Sequence, residues 1–300
     1  MTEGTTSVET IDVEELRESV LALTGGDRRP DPDEARAVVE RLRRALRTGA
    51  VRSAERSAQG WRAVPWVKSG ILLAFRTGRT REYAPFQRGG NEGFGGSRFQ
   101  WFDRDTLPLR PTEGAEQNIR IVPGGSSIRD GAYVAPNVVI MPPAYINIGA
   151  WVDEGAMIDS HALVGSCAQV GKRVHLSAGA QLGGVLEPVG LRPVIIEDDV
   201  LVAGNVGVFE GTLVGRRSIL APGVQLTRST AVYDLVREEI YRATEDEPLS
   251  IPDGAVVVPG ARPTSNAFAR EHGIQLYVPV IVKYRDESTD ASTALEETLR

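Results

Sequence analysis

The chain has 300 residues, a length that suits about two domains and at least one full core. Its 32 glycines and 18 prolines are an excess, but they fall well short of collagen, and the aliphatic content excludes a disordered chain. A net charge of −6 without a clustered basic footprint argues against nucleic acid as a partner. The single cysteine excludes a disulfide framework and points to a reducing, cytoplasmic setting. No apolar run approaches a membrane span, and the polar start MTEGTTSVETIDVEEL does not read as a leader.

Residues 1–118 read as a small N-terminal α/β domain. A short helix is expected around residues 13–23. A second covers 33–47 (DEARAVVERLRRALR), with Val38, Val39, Leu42, Ala45 and Leu46 on one face and Gly49 just past its end. Trp61, Trp66, Phe75 and Trp101 then surround an aliphatic run, 70–75, that fits either a strand or a helix. The segment 89–97 (GGNEGFGGS) lacks the preceding strand and following helix that a dinucleotide loop needs.

From Ile128 a six-residue step lands on Val134, Ile140, Ile146, Val152, Ile158, Val164, Val170, Leu176 and Leu182 without a miss. It resumes at Ile196, Val202, Val208, Val214, Leu220 and Leu226, and again at Ile251 and Val257. A small or aliphatic residue stands four positions after each of the first ten anchors, Ala132 and Ala150 among them. Neither a helical period of 3.6 nor a plain strand period of 2 produces strict sixes with a fixed small offset. Six residues per side and three sides per coil do, so residues 119–262 are expected to form about six coils of parallel β-helix. Gly149, Gly155, Gly179, Gly204, Gly211 and Gly223 fall at its corners, where a positive φ suits glycine.

Two insertions break the count, residues 188–195 and the acidic 232–250, which has room for a short helix. Loops of this kind map to a binding face. The residue before each anchor points outward, and in the first six hexads it is apolar: Tyr133, Val139, Tyr145, Trp151, Met157 and Leu163. Such a stripe must be covered, by the N-terminal domain or by further subunits in a closed trimer. Residues 263–300 are expected to add a strand over 275–284 (QLYVPVIVKY) and a tail or short helix.

The three histidines, His161, His175 and His272, are spaced too irregularly for a metal site, and none is expected. His161 or His175 suits either a general base or a polar residue at a subunit contact.

The stretch MPPAYINIGAWVDEGAMIDSHALVGSCAQVGKRVHLSAGAQLGGVLEP (141–188), with PVIIEDD at 193–199, STAVYD at 229–234 and GWRAVPWVKSGILLAFR at 60–76, closely resembles the tetrahydrodipicolinate N-succinyltransferase family. The resemblance implies a homotrimer of left-handed β-helices with active sites between subunits. It also implies transfer of succinyl from succinyl-CoA to the amine of ring-opened tetrahydrodipicolinate, in lysine and diaminopimelate synthesis. Succinyl-CoA would act as cosubstrate, with no tightly bound cofactor.

Within that resemblance Arg120 (NIRIVPGG) and Asp159 (GAMIDS) match the family's substrate-binding arginine and aspartate. An arginine fork suits a dicarboxylate, and a carboxylate suits an attacking amine. A surface charge and a solvated corner residue are the plainer readings of the two. Where relatives carry a second acid in a string like RSEVVEG, this chain has Gly207, and Glu210 three residues on is the candidate to compensate. Backbone at Gly183, Gly184, Ala203 and Gly204 is expected to meet the pantetheine arm, and Arg216, Arg217 and Arg228 the phosphates. An acetyl-CoA-dependent relative with another amino-acid acceptor, and a non-catalytic β-helix scaffold, are the alternatives.

Overall fold

The computed structural model describes residues 11–26, 30–83, 101–111 and 117–286. The glycine-rich segment 89–97 and residues 287–300 of the expected tail lie outside them.

Every hexad anchor from Ile128 to Val257 is the inward residue of a short strand, and every one is buried. Strands stack parallel at the expected interval, Trp151–Val152 on Gln169–Val170. The two insertions appear as jumps in this register. Gln169 pairs with Ile195, 26 residues on, which is one 18-residue coil plus eight, and Leu213 pairs with Ser250, 37 on, one coil plus nineteen. Burying one Ile or Leu anchor contributes about 1.5–3 kcal/mol, so the column of anchors holds the coil together. In the later coils Thr212 and Ser218 fill the small inward position, and their hydroxyls donate to the carbonyls of Phe209 and Pro252.

The result is a left-handed parallel β-helix with three faces. The outward residues of the first face run Tyr133, Trp151, Gln169, Ile195, Leu213 and Ser250. On the second face they are Arg120, Val139, Met157, His175, Leu201 and Ile219, and on the third Ser127, Tyr145, Leu163, Gln181, Gly207 and Gln225. The six apolar outward positions therefore do not form one stripe. They are a girdle, two on each face, because a step of six moves the chain to the next side of the prism.

The N-terminal segment covers the first-face part of that girdle. Helices α1 (Val13–Thr24), α2 (Pro32–Arg47) and α3 (Pro65–Thr77) pack together around Leu16, Leu42 and Ile71. Asp12 and Asp31 cap the first two by accepting from the second and third backbone N–H groups, and Pro32 opens α2. The run 70–75 is thus helical. Two hairpins complete the segment, β1 (Ala54–Ser57) with β2 (Gly60–Ala63) and β3 (Thr80–Tyr83) with β4 (Trp101–Arg104).

Docking on the coil is specific. Trp151 stacks on Tyr133 with ring centroids 3.8 Å apart, and the Arg52 guanidinium lies 4.2 Å from the Trp151 ring and 4.9 Å from Trp61. Arg52 also donates to Gln169 at 2.5 Å. Burial pulls its pKa down to about 10, against the raising influence of Asp153 and Asp198, so it stays charged. Arg43 and Arg47 of α2 donate to the buried Asp130 at 2.6 and 2.7 Å.

Both insertions are tied into the fold. The buried Lys68 of α3 donates to the Leu191 carbonyl, and Arg192 donates to carbonyls of Gly211, Pro248 and Leu249. Residues 188–195 thus bridge the N-terminal helices and the second insertion. That second insertion, 232–250, contains no helix. It holds an antiparallel hairpin, Val232–Asp234 with Glu239–Tyr241. The cause is tertiary: Asp234 is buried and accepts from Val236 N, Arg237 N and the Tyr284 hydroxyl. Tyr284 ends the strand Gln275–Tyr284, found at the expected place, which pairs antiparallel with Ala255–Pro263 and parallel with Val232–Asp234. Gly204 is a second correction. It lacks a positive φ, and Asn205 (φ 57°) takes the left-handed corner position there instead.

Candidate active site

Because a side of the prism consumes six residues, chain position decides which edge a residue occupies. Asp159, Ala203 and Gly204 lie at the edge between the second and third faces. Gly183, Gly184, Glu210 and Arg228 lie at the edge between the third and first, and Arg216 and Arg217 at the edge between the first and second. Adjacent edges are separated by up to roughly 20 Å of extended chain. A single subunit therefore does not gather the candidate residues into one site.

Arg120 and Asp159 share the second face. Arg120 pairs with Val139 and Val139 with Met157, which places Arg120 two strands, about 9–10 Å, from the strand that leads into Asp159. Arg120 is exposed, with no ion-pair partner among the described residues. Asp159 is half-buried. One carboxylate oxygen accepts from Ser160 N at 2.6 Å, and the other stands 3.9 Å from Nε2 of His175.

The remaining candidates are engaged within the fold. Glu210 is exposed and accepts from Arg228 N at 2.7 Å. The Arg228 guanidinium donates to the carbonyls of Thr244 and Glu245, at 3.0 and 2.7 Å, and so holds the second insertion. Arg216 stands 3.9 Å from Glu197 and 3.8 Å from Asp198, and the Arg217 carbonyl accepts from Arg285. The N–H groups of Gly183 and Ala203 donate within the coil, to Val208 and Leu220, and the Gly204 carbonyl accepts from Gly223. Gly184 is exposed.

Gly207 is buried. A Cβ there would stand 2.4 Å from the Phe209 ring and 2.2 Å from the Gln225 side-chain oxygen, and one on Gly183 would stand 2.7 Å from the same ring. Phe209 thus lies across a shelf of two glycines, and position 207 is closed to a larger side chain. Cys167 is excluded as a nucleophile, since burial pushes its thiol up to about 11 despite Lys68 and Ser53 nearby.

Asp159 and His175 are each candidates from the sequence, and the fold brings them together as a pair. Spacing already contains that pairing. With 18 residues per coil, a residue 16 positions on lies one strand over and two residues back, within side-chain reach.

Comparison with known proteins adds the family. Residues 24–77 match a model described as the N-terminal domain of tetrahydrodipicolinate N-succinyltransferase. The chain is 44 % identical over 290 residues to 2,3,4,5-tetrahydropyridine-2,6-dicarboxylate N-succinyltransferase of Gluconobacter oxydans, covering 95 % of each chain. It is 43 % identical over 258 residues to the enzyme of that name from Coxiella burnetii, covering 85 % of this chain and 86 % of that one. With that of Ralstonia nicotianae the identity is 40 % over 272 residues, 90 % of each. Similarity at this level along nearly the whole chain makes the protein a member of the tetrahydrodipicolinate N-succinyltransferase family.

Proposed function

We infer that the protein is an acyl-CoA-dependent N-succinyltransferase that moves succinyl from succinyl-CoA to the amine of ring-opened tetrahydrodipicolinate, in lysine and diaminopimelate synthesis. The observation that carries this is the 44 % identity over 95 % of the chain to a protein of that name. Arg120 and Asp159 on one face support it, a bidentate cation for a dicarboxylate beside an acceptor for an amine.

In this reading Arg120 binds an acceptor carboxylate and Asp159 orients the amine against the thioester. The nitrogen lone pair forms the new C–N bond, the C–S bond breaks, and the amine proton ends on the departing CoA sulfur. The pantetheine arm runs along the exposed Gly184 and the half-buried backbone at Gly183, Ala203 and Gly204, with Arg216 and Arg217 near the phosphates. Because these residues occupy different edges, we further propose a homotrimer in which neighbouring copies complete each site. The half-buried apolar residues Val139, Met157, Leu201 and Ile219 of the second face support this. No helix among the described residues is long and apolar enough to cross a membrane, and the proposed setting is the cytoplasm. The bond to Arg228 N supports a loop-holding role for Glu210 in place of proton transfer.

Mass spectrometry of the product tests the donor. The N-succinyl adduct is expected from succinyl-CoA and tetrahydrodipicolinate, whereas an N-acetyl adduct formed equally fast from acetyl-CoA would overturn the choice of donor.

A further inference from the structure

The glycine shelf under Phe209 has two strands, and both run straight into one joint. Gly183 continues through Gly184 and Val185 to Leu186, whose side chain packs against the core of the N-terminal helices. Phe209 continues through Glu210 to Gly211, at the edge between the third and first faces. At that joint the insertion 188–195 is stitched from two sides. Lys68 of α3, wholly buried, reaches it from the N-terminal helices and donates to the Leu191 carbonyl. Arg192, the next residue, reaches the other way. Its guanidinium donates to the Gly211 carbonyl at 3.1 Å, to those of Pro248 and Leu249 at 3.3 Å each, and to the Ser250 hydroxyl at 3.2 Å.

The fit at the joint is close. Gly211 has φ 76°, and a Cβ there would stand 2.4 Å from the Arg192 carbonyl oxygen and 3.1 Å from Pro248, so any side chain at this position would move the insertion. Lys68 presents the opposite case, a cation where an apolar chain would pack at less cost. Burial pulls its pKa down, against the raising influence of Cys167. Taking an ammonium out of water is unfavourable, and an apolar residue of similar volume is often neutral or better for stability. Stability alone therefore does not account for a lysine here, whereas the need to fix the Leu191 carbonyl does.

We propose that Lys68 and Arg192 are positioning residues for the acyl-CoA donor. Clamping the joint from both sides, they hold the Gly183–Gly184 and Phe209 strands at a set height, so the N-terminal helices govern how well the shelf accepts the pantetheine arm. This rests on the reading above that the arm runs along the shelf, and it names the side chains that set the donor's affinity there. Neither side chain touches the donor: Lys68 is wholly buried, and the Arg192 guanidinium is turned to carbonyls of the fold. Arg120 lies on the second face and Asp159 at its edge with the third, away from the joint, so the effect falls on the donor and not on the acceptor.

The test is the steady-state rate of thiol release from succinyl-CoA with tetrahydrodipicolinate, together with calorimetric titration of coenzyme A, in the full-length protein. Lys68→Met keeps the bulk of the side chain and loses the bond. It should raise the succinyl-CoA KM and the coenzyme A Kd about fivefold to tenfold, with kcat and the acceptor KM within about twofold of wild type. Arg192→Met should do the same, and Arg192→Lys, which keeps one donor, should show a smaller rise of about threefold. The double variant Lys68→Met, Arg192→Met should exceed the larger single effect by less than about twofold, because both side chains act on one joint. A merely structural role moves both KM values and kcat together. A donor KM and coenzyme A Kd of folded Lys68→Met within about twofold of wild type overturn the proposal, as does an equal rise in the acceptor KM. If Lys68→Met does not fold, Arg192→Lys decides by the same criterion. Gly183→Leu fills the shelf itself: if it binds coenzyme A as wild type does, the shelf reading has failed, and a wild-type protein that transfers no succinyl removes the reaction, so these failures are distinguishable from that of the clamp.

Discussion

Placing an acid at position 207 tests the glycine shelf. In Gly207→Glu the new Cβ starts 2.4 Å from the Phe209 ring and 2.2 Å from the Gln225 oxygen. Gln225 can swing away, but it then surrenders its 2.9 Å bond to the Asn205 carbonyl, about 1 kcal/mol. Phe209 cannot settle back onto Gly183 while the new side chain stands beside it, and overpacking of this kind costs about 1–3 kcal/mol. The sum is roughly 2–4 kcal/mol, equivalent in a chain of this length to a thermal midpoint lowered by roughly 3–6 °C. Thermal and urea unfolding at fixed protein concentration would measure it, and Phe209→Ala in the same chain should return much of the loss. A Gly207→Glu midpoint equal to wild type, or one that Phe209→Ala does not raise, would refute the steric closure of this position.

Trp151→Ala removes the stack on Tyr133 and one of the two aromatic surfaces for Arg52, so it should loosen the N-terminal helices from the coil and speed limited proteolysis between them. Asp130→Asn leaves Arg43 and Arg47 with a neutral partner at a buried site and should cost about 3 kcal/mol by urea unfolding. Glu210→Gln can still accept from Arg228 N and should retain kcat, while Glu210→Ala should raise the protease sensitivity of residues 232–250. Burial pushes the Asp234 carboxyl up, but the Tyr284 hydroxyl, the N–H groups of Arg237 and Val236 and the Arg237 charge outweigh it and hold the pKa below the usual carboxylate value. Because the folded value lies below the unfolded one, this carboxylate adds stability above about pH 4 and loses it as the pH falls further. Asp234→Asn should therefore flatten that acid limb of a stability-against-pH curve.

The coil was readable because its signal repeats. Each anchor from Ile128 to Val257 faces the same narrow interior, and the lengths of both insertions reappear as register jumps. The same count concealed the geometry of the outer surface. Consecutive outward residues such as Tyr133, Val139 and Tyr145 belong to three different faces, so an apparent stripe became a girdle. The hairpin at 232–250 was unreadable locally because its partner strand lies some fifty residues on, and the bond that orders it, Asp234 to Tyr284, exists only in the fold. Arg216 and Arg228 show the same limit. Arginine composition suggests phosphate, while the fold sets one beside Glu197 and Asp198 and the other beneath the carbonyls of Thr244 and Glu245. Asp159 and Arg120, identified from family strings, do share a face, whereas the proximity of Asp159 to His175 follows from the coil length alone.

Succinyl transfer to tetrahydrodipicolinate is measured by the free thiol that the purified protein releases from succinyl-CoA. Release should require tetrahydrodipicolinate, saturate with it, and fall sharply in Asp159→Asn while the variant stays folded. Release that is independent of the acceptor, or no release with any amine acceptor, would contradict the assignment.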